Sequence, residues 1–362
     1  MPYLILIVVV LAAGLLWWKF RRPAPAAPRP QPVPAEATSA PVRRNAAAQP
    51  AAATAPLPAS TEPLPAELAG FNWIAESALD PARRDTLLAA IRGIPRPPRS
   101  MQQLLSPEFL AKASSTDLSE LVMGEPLIAA KVLATVNGAA YGLRQPVTRI
   151  GQAVTFLGIN TVRSICLQYM LADAFKPKLA ESQQAFDHIW KASACASELA
   201  VRLCKAMQWS DQGLLSTQVV LSFVGQLAVA SMLPPERLGA WLAADRLARA
   251  RLEQDAVGIN AVEVGALMMR HWGLPTPLLD AVRDIGRVLV TPVQQAPASH
   301  AAQMALGYLC ARLGDALAAG RLDRLDDYRP ADDAADDMHH LRSYLGLPPL
   351  ARLEAALQSP EM

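Results

Sequence analysis

The sequence predicts an all-α protein, and three observations carry that reading. Beyond residue 67 the large apolar residues recur at helical spacing. No sustained period-two run of β-branched residues bounded by turn signals interrupts them. The 362 residues are 52% apolar and 18% charged, which supplies a sizeable core and excludes a mostly disordered chain. The expected architecture is a multi-helix body preceded by one transmembrane helix and a Pro/Ala-rich linker. Its divisions are an anchor at 1–22, a linker at 23–66, a lead-in helix at 67–92, a main domain at 93–290 and a C-terminal helical extension at 291–362.

The anchor comes first. Residues Pro2 to Trp18 carry no charge and are dominated by Leu, Ile and Val. That length suits a bilayer, which needs about 17–25 residues. Trp17 and Trp18 stand where an interfacial aromatic belt belongs, and Lys19, Arg21 and Arg22 follow. A cleaved signal peptide carries its basic residues before the apolar run, not after it. The expectation is a single-pass anchor in the inner membrane with the body in the cytoplasm. A signal cleaved in the Ala-rich stretch after Pro23 is the alternative. From Pro23 to about Ala66 the chain is mostly Pro and Ala and cannot bury enough surface to offset its ordering entropy. It reads as a semi-stiff tether kept soluble by Arg29, Arg43 and Arg44.

The helices follow in order. Asp80-Pro81 is a helix start, with Asp as N-cap and Pro at the first helical position. Leu87, Leu88 and Ile91 share a face, and Gly93 and Pro95 stop the helix. Ser119 to Val136 reads as two helices with a turn at Gly124-Glu125-Pro126. Ile150–Leu171, Gln184–Met207, Leu214–Met232 and Ala261–His271 are further candidates, another opens near Leu278, and the last run about His300–Ala319 and Ala334–Leu345. The net charge of +2, from 34 basic and 32 acidic residues, argues against a nucleic-acid partner. Cys166, Cys195, Cys204 and Cys310 lie far apart without a Cys-x-x-Cys pair, so buried reduced thiols are expected rather than a zinc knuckle or a disulfide framework.

The stretch Glu125-Pro126 followed by Leu127 to Val136, Asn137-Gly138-Ala139-Ala140-Tyr141-Gly142, resembles the signature of the HD-related output domain, the HDOD family. Val147-Thr148-Arg149-Ile150 leading into Gln152-Ala153-Val154-Thr155-Phe156-Leu157-Gly158 resembles its next motif. Ile94-Pro95-Arg96-Pro97-Pro98, Glu263-Val264-Gly265-Ala266 and Trp272-Gly273-Leu274-Pro275 match other stretches in the same order, so the resemblance covers roughly 90–290. Read physically, Asn137 and Gly138 end a helix where left-handed backbone is easy, and Tyr141 is a packed ring.

The resemblance implies an HD-like fold whose catalytic members hold a divalent metal through His and Asp. The matching positions here are Ala192 in Trp190-Lys191-Ala192-Ser193, Ser222-Phe223 in place of the His-Asp pair, Asn260 in Gly258-Ile259-Asn260, and Asp284-Ile285. Ala and Phe offer no donor, and Ser and Asn alone bind metal poorly. His188, one turn before Ala192, and the cluster Asp332, Asp333, Asp336, Asp337, His339 and His340 are the remaining candidates; His271 reads as a helix-end cation. The acids read first as the opening turn of a late helix. The expectation is therefore no catalytic, cofactor-binding or metal residues. The chain would be a non-catalytic interaction module in bacterial signal transduction, with unknown signalling proteins as partners. The alternative is a degenerate cleft that binds a nucleotide or cyclic dinucleotide as a sensor, for which Arg270 and Arg283 are the available cations.

Overall fold

Asp80 accepts a hydrogen bond from the Arg83 amide at 3.0 Å, and Pro81 opens the helix behind it. The computed structural model describes residues 63–138, 141–143, 145–177, 180–209, 212–326 and 328–359, and among these every regular element is a helix. The anchor expected over 1–22, and the linker up to residue 62, lie outside the described residues.

The elements are α1 (Ala66–Ala69), α2 (Pro81–Arg92), α3 (Arg99–Leu104), α4 (Pro107–Lys112), α5 (Ser115–Met123), α6 (Pro126–Val136), α7 (Ile150–Leu157), α8 (Ile159–Ala174) and α9 (Ala180–Ala206). They continue as α10 (Gln212–Ser222), α11 (Val224–Met232), α12 (Pro235–Ala243), α13 (Arg246–Val257), α14 (Ala261–His271), α15 (Thr276–Arg287), α16 (Ala301–Ala318), α17 (His339–Tyr344) and α18 (Leu353–Leu357). Local chemistry sets the boundaries. Ser114 and Asp117 form a reciprocal capping box at the start of α5, with the Ser114 amide donating to Asp117 at 2.7 Å. Gly158, at φ +83°, divides the run read as Ile150–Leu171 into α7 and α8, a backbone angle that a Cβ disfavours. The run Leu214–Met232 also divides, at Phe223.

The centre of the body is α9, which packs against α16, α10 and α8. Around it α11 crosses α14, α15 covers α14 and α10, and α5, α6 and α7 form a smaller bundle against α8. Trp241, Trp272, Tyr308, Tyr344, Phe186 and Phe223 are fully buried in one continuous core. Among the described residues, Gln212–Met232 is the one stretch long and apolar enough to cross a membrane, and 83% of its 18-residue apolar window is buried inside the body. Its apolarity is used in the core. Cys166, Cys204 and Cys310 are buried and Cys195 is half-buried; burial pushes the Cys166 thiol up to about 12.

The lead-in is not one helix over 67–92. A short strap joins α1 to α2 and docks on α13 and α14. The Ile74 amide donates to Gln254 Oε1 at 3.0 Å, Gln254 Nε2 donates to the Asn72 carbonyl at 2.9 Å, and Trp73 Nε1 donates to Glu263 Oε1 at 2.9 Å.

Candidate functional site

Helix α9 brings Ala192 into the core with no exposed surface. Helix α16 lies so close there that a Cβ on Gly314 would stand 2.5 Å from the Ala192 carbonyl oxygen. At the α10–α11 junction Phe223 is 1% exposed, and Ser222 Oγ donates to the Val219 carbonyl at 2.7 Å. Asn260 is the N-cap of α14: its Oδ1 accepts from the Val262 and Glu263 amides at 3.0 and 3.2 Å. Its Nδ2 donates to Gln254 Oε1 at 3.3 Å. Ile285, on α15, is 1% exposed. This donor set does not fit a divalent metal: Ala192, Phe223 and Ile285 have no donor atom, Ser222 donates within its own helix, Asn260 is committed to a helix terminus, and Asp284 pairs with His300 at 3.2 Å. The cations considered for a phosphate are committed as well. Arg270 pairs with Glu76 at 2.9 Å, and Arg283 pairs with Glu263 at 3.1 Å.

His188 is half-buried, and its Nε2 lies 2.8 Å from Asp315 on α16. Asp315 also receives the Arg249 guanidinium at 3.2 Å and Arg321 at 2.7 Å. Burial opposes its charge, but Arg249, His188 and Arg246 together hold its carboxyl well below the usual carboxylate range. Arg249 is itself 3% exposed, and its remaining donors reach the Trp241, Leu242 and Ala244 carbonyls. Glu253, one turn on, accepts from Trp241 Nε1 at 2.9 Å and from the Ala261 amide at 2.6 Å, while burial pushes its carboxyl up. The network joins α9, α13 and α16. The paired atoms of Asp315, Arg249, His188 and Glu253 make it a structural lock, while the Arg246 guanidinium beside Asp315 keeps its Nε and one terminal nitrogen buried without a hydrogen-bond partner.

The acidic cluster is not the first turn of a helix. A 3-10 turn (Asp336–Met338) precedes α17, and Asp333 and Asp337 both bind Arg312 of α16, at 2.7 and 2.9 Å. His339 and His340 pack edge to face with ring centroids 5.1 Å apart, and burial, then the His339 charge, lowers His340 to about 4. His271 is half-buried at the end of α14. Among the described residues no three His, Cys, Asp or Glu side chains group as a metal would require.

The signature loop works differently from a left-handed turn. Asn137 has φ −81°, and neither it nor Gly138 has positive φ. The Asn137 side chain instead pins the loop: its Nδ2 donates to the Leu133 and Val147 carbonyls, both at 2.8 Å, and its Oδ1 accepts from the Val147 amide at 2.7 Å. Gly142, at φ +56°, supplies the left-handed residue. Tyr141 is half-buried against the core, and burial raises its phenol.

The family model of the HDOD domain matches residues 94–287. No curated protein matches the chain in sequence. The crystal structure of an HDOD domain protein with unknown function from Geobacter sulfurreducens aligns over 75% of this chain and 95% of that one, with 16% identity and a TM-score of 0.51. A candidate phosphohydrolase from Shewanella amazonensis aligns over 75% of this chain and 92% of that one, with 19% identity and a TM-score of 0.49. A candidate signal transduction protein from Marinobacter aquaeolei aligns over 81% of this chain and 69% of that one, with 21% identity and a TM-score of 0.47.

Proposed function

This chain belongs to the HDOD family, and from that membership we propose that it is a non-catalytic protein-interaction module in bacterial signal transduction, tethered to the inner membrane by residues 1–22. The observation that carries the non-catalytic reading is the filling of the metal positions: Ala192 and Phe223 are buried apolar groups, and Asn260 is spent on capping α14. Apolar side chains there add burial where ligands would cost desolvation. The tether reading rests on the uncharged run Pro2–Trp18 and the basic residues after it.

The purified chain is expected to contain no stoichiometric manganese, iron or zinc and to leave cyclic dinucleotides, nucleotides and a generic phosphodiester intact. Elemental analysis and product chromatography check this. Near-stoichiometric metal with turnover abolished by chelation overturns the reading. For the interaction role, a pull-down with the chain as bait, identified by mass spectrometry, is expected to return a defined signalling protein. A C-terminal reporter active only outside the cytoplasm overturns the orientation.

A further inference from the structure

A cavity of about 920 Å³ opens between α2, the end of α8, the start of α9 and the ends of α11 and α13. None of Ala192, Ser222, Phe223 or Asn260 lines it. Its wall is built from Leu87, Phe175, Phe186, Met232, Leu233 and Val257, with small residues between them. Its volume sits toward the upper end of the roughly 300–1,000 Å³ usual for ligand sites.

Three features of the lining select an occupant. First, among the described residues its lining contains no carboxylate, and the two charged groups there, Arg83 and Lys176, are both cations. Each has only an exposed acidic neighbour, Asp80 at 4.0 Å and Asp173 at 3.4 Å, pairs that solvent screens. Second, the flanking chain adds no bias of its own: Arg92 and Arg96 beside the lining segment Gly93–Pro95 are balanced by Asp85 and Asp255 beside Thr86 and Ala256, so the charges that select an occupant are the two in the lining itself. Third, of the three hydroxyls in the lining, on Thr86, Ser182 and Ser231, two are already used. The Thr86 hydroxyl donates to Ala82 at 2.9 Å and that of Ser231 to Ala228 at 2.6 Å, each within its own helix. A peptide or a nucleobase would leave buried polar groups unpaired in such a space, at a cost that an alkyl chain does not incur.

We propose that this cavity binds a single-chain anionic amphiphile, a free fatty-acyl carboxylate, with its alkyl chain among Leu87, Phe175 and Phe186 and its head group at Arg83 and Lys176. The site goes beyond the interaction-module reading and stands or falls independently of it. A ligand here would bridge α2 of the lead-in to α11 and α13 of the domain, so occupancy would tie the lead-in down.

The test uses the full-length chain in zwitterionic nanodiscs, titrated calorimetrically with dodecanoate, with empty discs subtracted. Saturable one-to-one binding is expected. Ala90 and Ala256 line the cavity from exposed positions, so Ala90→Trp and Ala256→Trp fill it without disturbing the core. Each is expected to weaken dodecanoate binding by about tenfold or more, or about 1.4 kcal/mol. Circular dichroism checks folding, and if one variant misfolds the other decides. The double variant Arg83→Glu/Lys176→Glu is expected to weaken dodecanoate binding while leaving 1-dodecanol unchanged. Three results would overturn the proposal: uptake unaffected by both tryptophan variants, 1-dodecanol binding as tightly as dodecanoate, or sedimentation with anionic vesicles in the absence of saturable dodecanoate binding.

Discussion

Asn137 shows how one amide side chain can hold a loop. Its two bonds to Val147, at 2.7 and 2.8 Å, span ten residues of chain and satisfy a backbone amide and carbonyl that the loop would otherwise leave unpaired. Asn137→Ala is expected to cost about 1–2 kcal/mol, read as a lowered urea midpoint with unchanged slope. Asn137→Asp keeps the acceptor and loses the donor, so its midpoint should fall in between. A second prediction concerns His340, whose folded-state pKa of about 4 lies below the ordinary value. The unfolded chain takes up that proton first, so the group's contribution is complete above about pH 6.5 and is lost as pH falls through about 4. His340→Gln should flatten the stability profile over that window, measured by urea titration at several pH values. At this scale the sequence was informative about identity and silent about partnership. The absent donors at 192 and 223 are legible in the letters themselves. The pairing of His188 with Asp315, 127 residues away, is not, because nothing in local spacing encodes it.

Between helices, the backbones come together where α11 crosses α14. A Cβ on Gly225 would lie 1.7 Å from the Ala261 carbonyl oxygen, so backbone touches backbone and no side chain can yield. Gly225→Ala is expected to destabilise by about 3 kcal/mol or to prevent folding, and Gly265→Ala, whose Cβ would meet Gly225 at 3.1 Å, to cost less. Thermal melts of the two variants side by side check the order. The long apolar helices were legible from their periodicity. Helices α12 and α13 were not, and for α13 the reason is charge: Arg246, Arg249, Arg251, Glu253 and Asp255 make it read as a polar connection. Yet Arg249 and Glu253 are buried, and only the tertiary network makes their burial tolerable.

For the molecule as a whole, the family match ends at 287 but the structural unit does not. Helix α16 packs along α9, delivers Asp315 to Arg249 and His188, and carries Arg312, which the acids at 333 and 337 enclose. A chain ending at residue 290 would leave Arg249 buried without its carboxylate, a loss of about 3–5 kcal/mol before any exposed core is counted. In a mild detergent that holds the proposed anchor, that truncation is expected to aggregate, while a chain ending at 359 stays monodisperse and melts cooperatively; expression followed by size-exclusion chromatography distinguishes them. Asp315→Ala in the intact chain should show the same loss in milder form. Because its carboxyl is held below the usual range, the stability it adds is present above about pH 4 and fades as pH falls further.

The docking of the strap also fixes a delay during synthesis. Trp73 leaves the ribosome early, but Glu263, which accepts its indole N–H, and Arg287, which lies over its ring at 5.5 Å, are made far later. At about 5–20 residues per second, a separation of 190 residues leaves Phe71 and Trp73 without their final seat for roughly 10–40 s. Closing so long a loop costs little extra entropy per added residue, so the strap is stable once formed even though it forms late. The first part of the described chain to emerge is therefore among the last to settle, and during that interval its two aromatic rings are open to a chaperone.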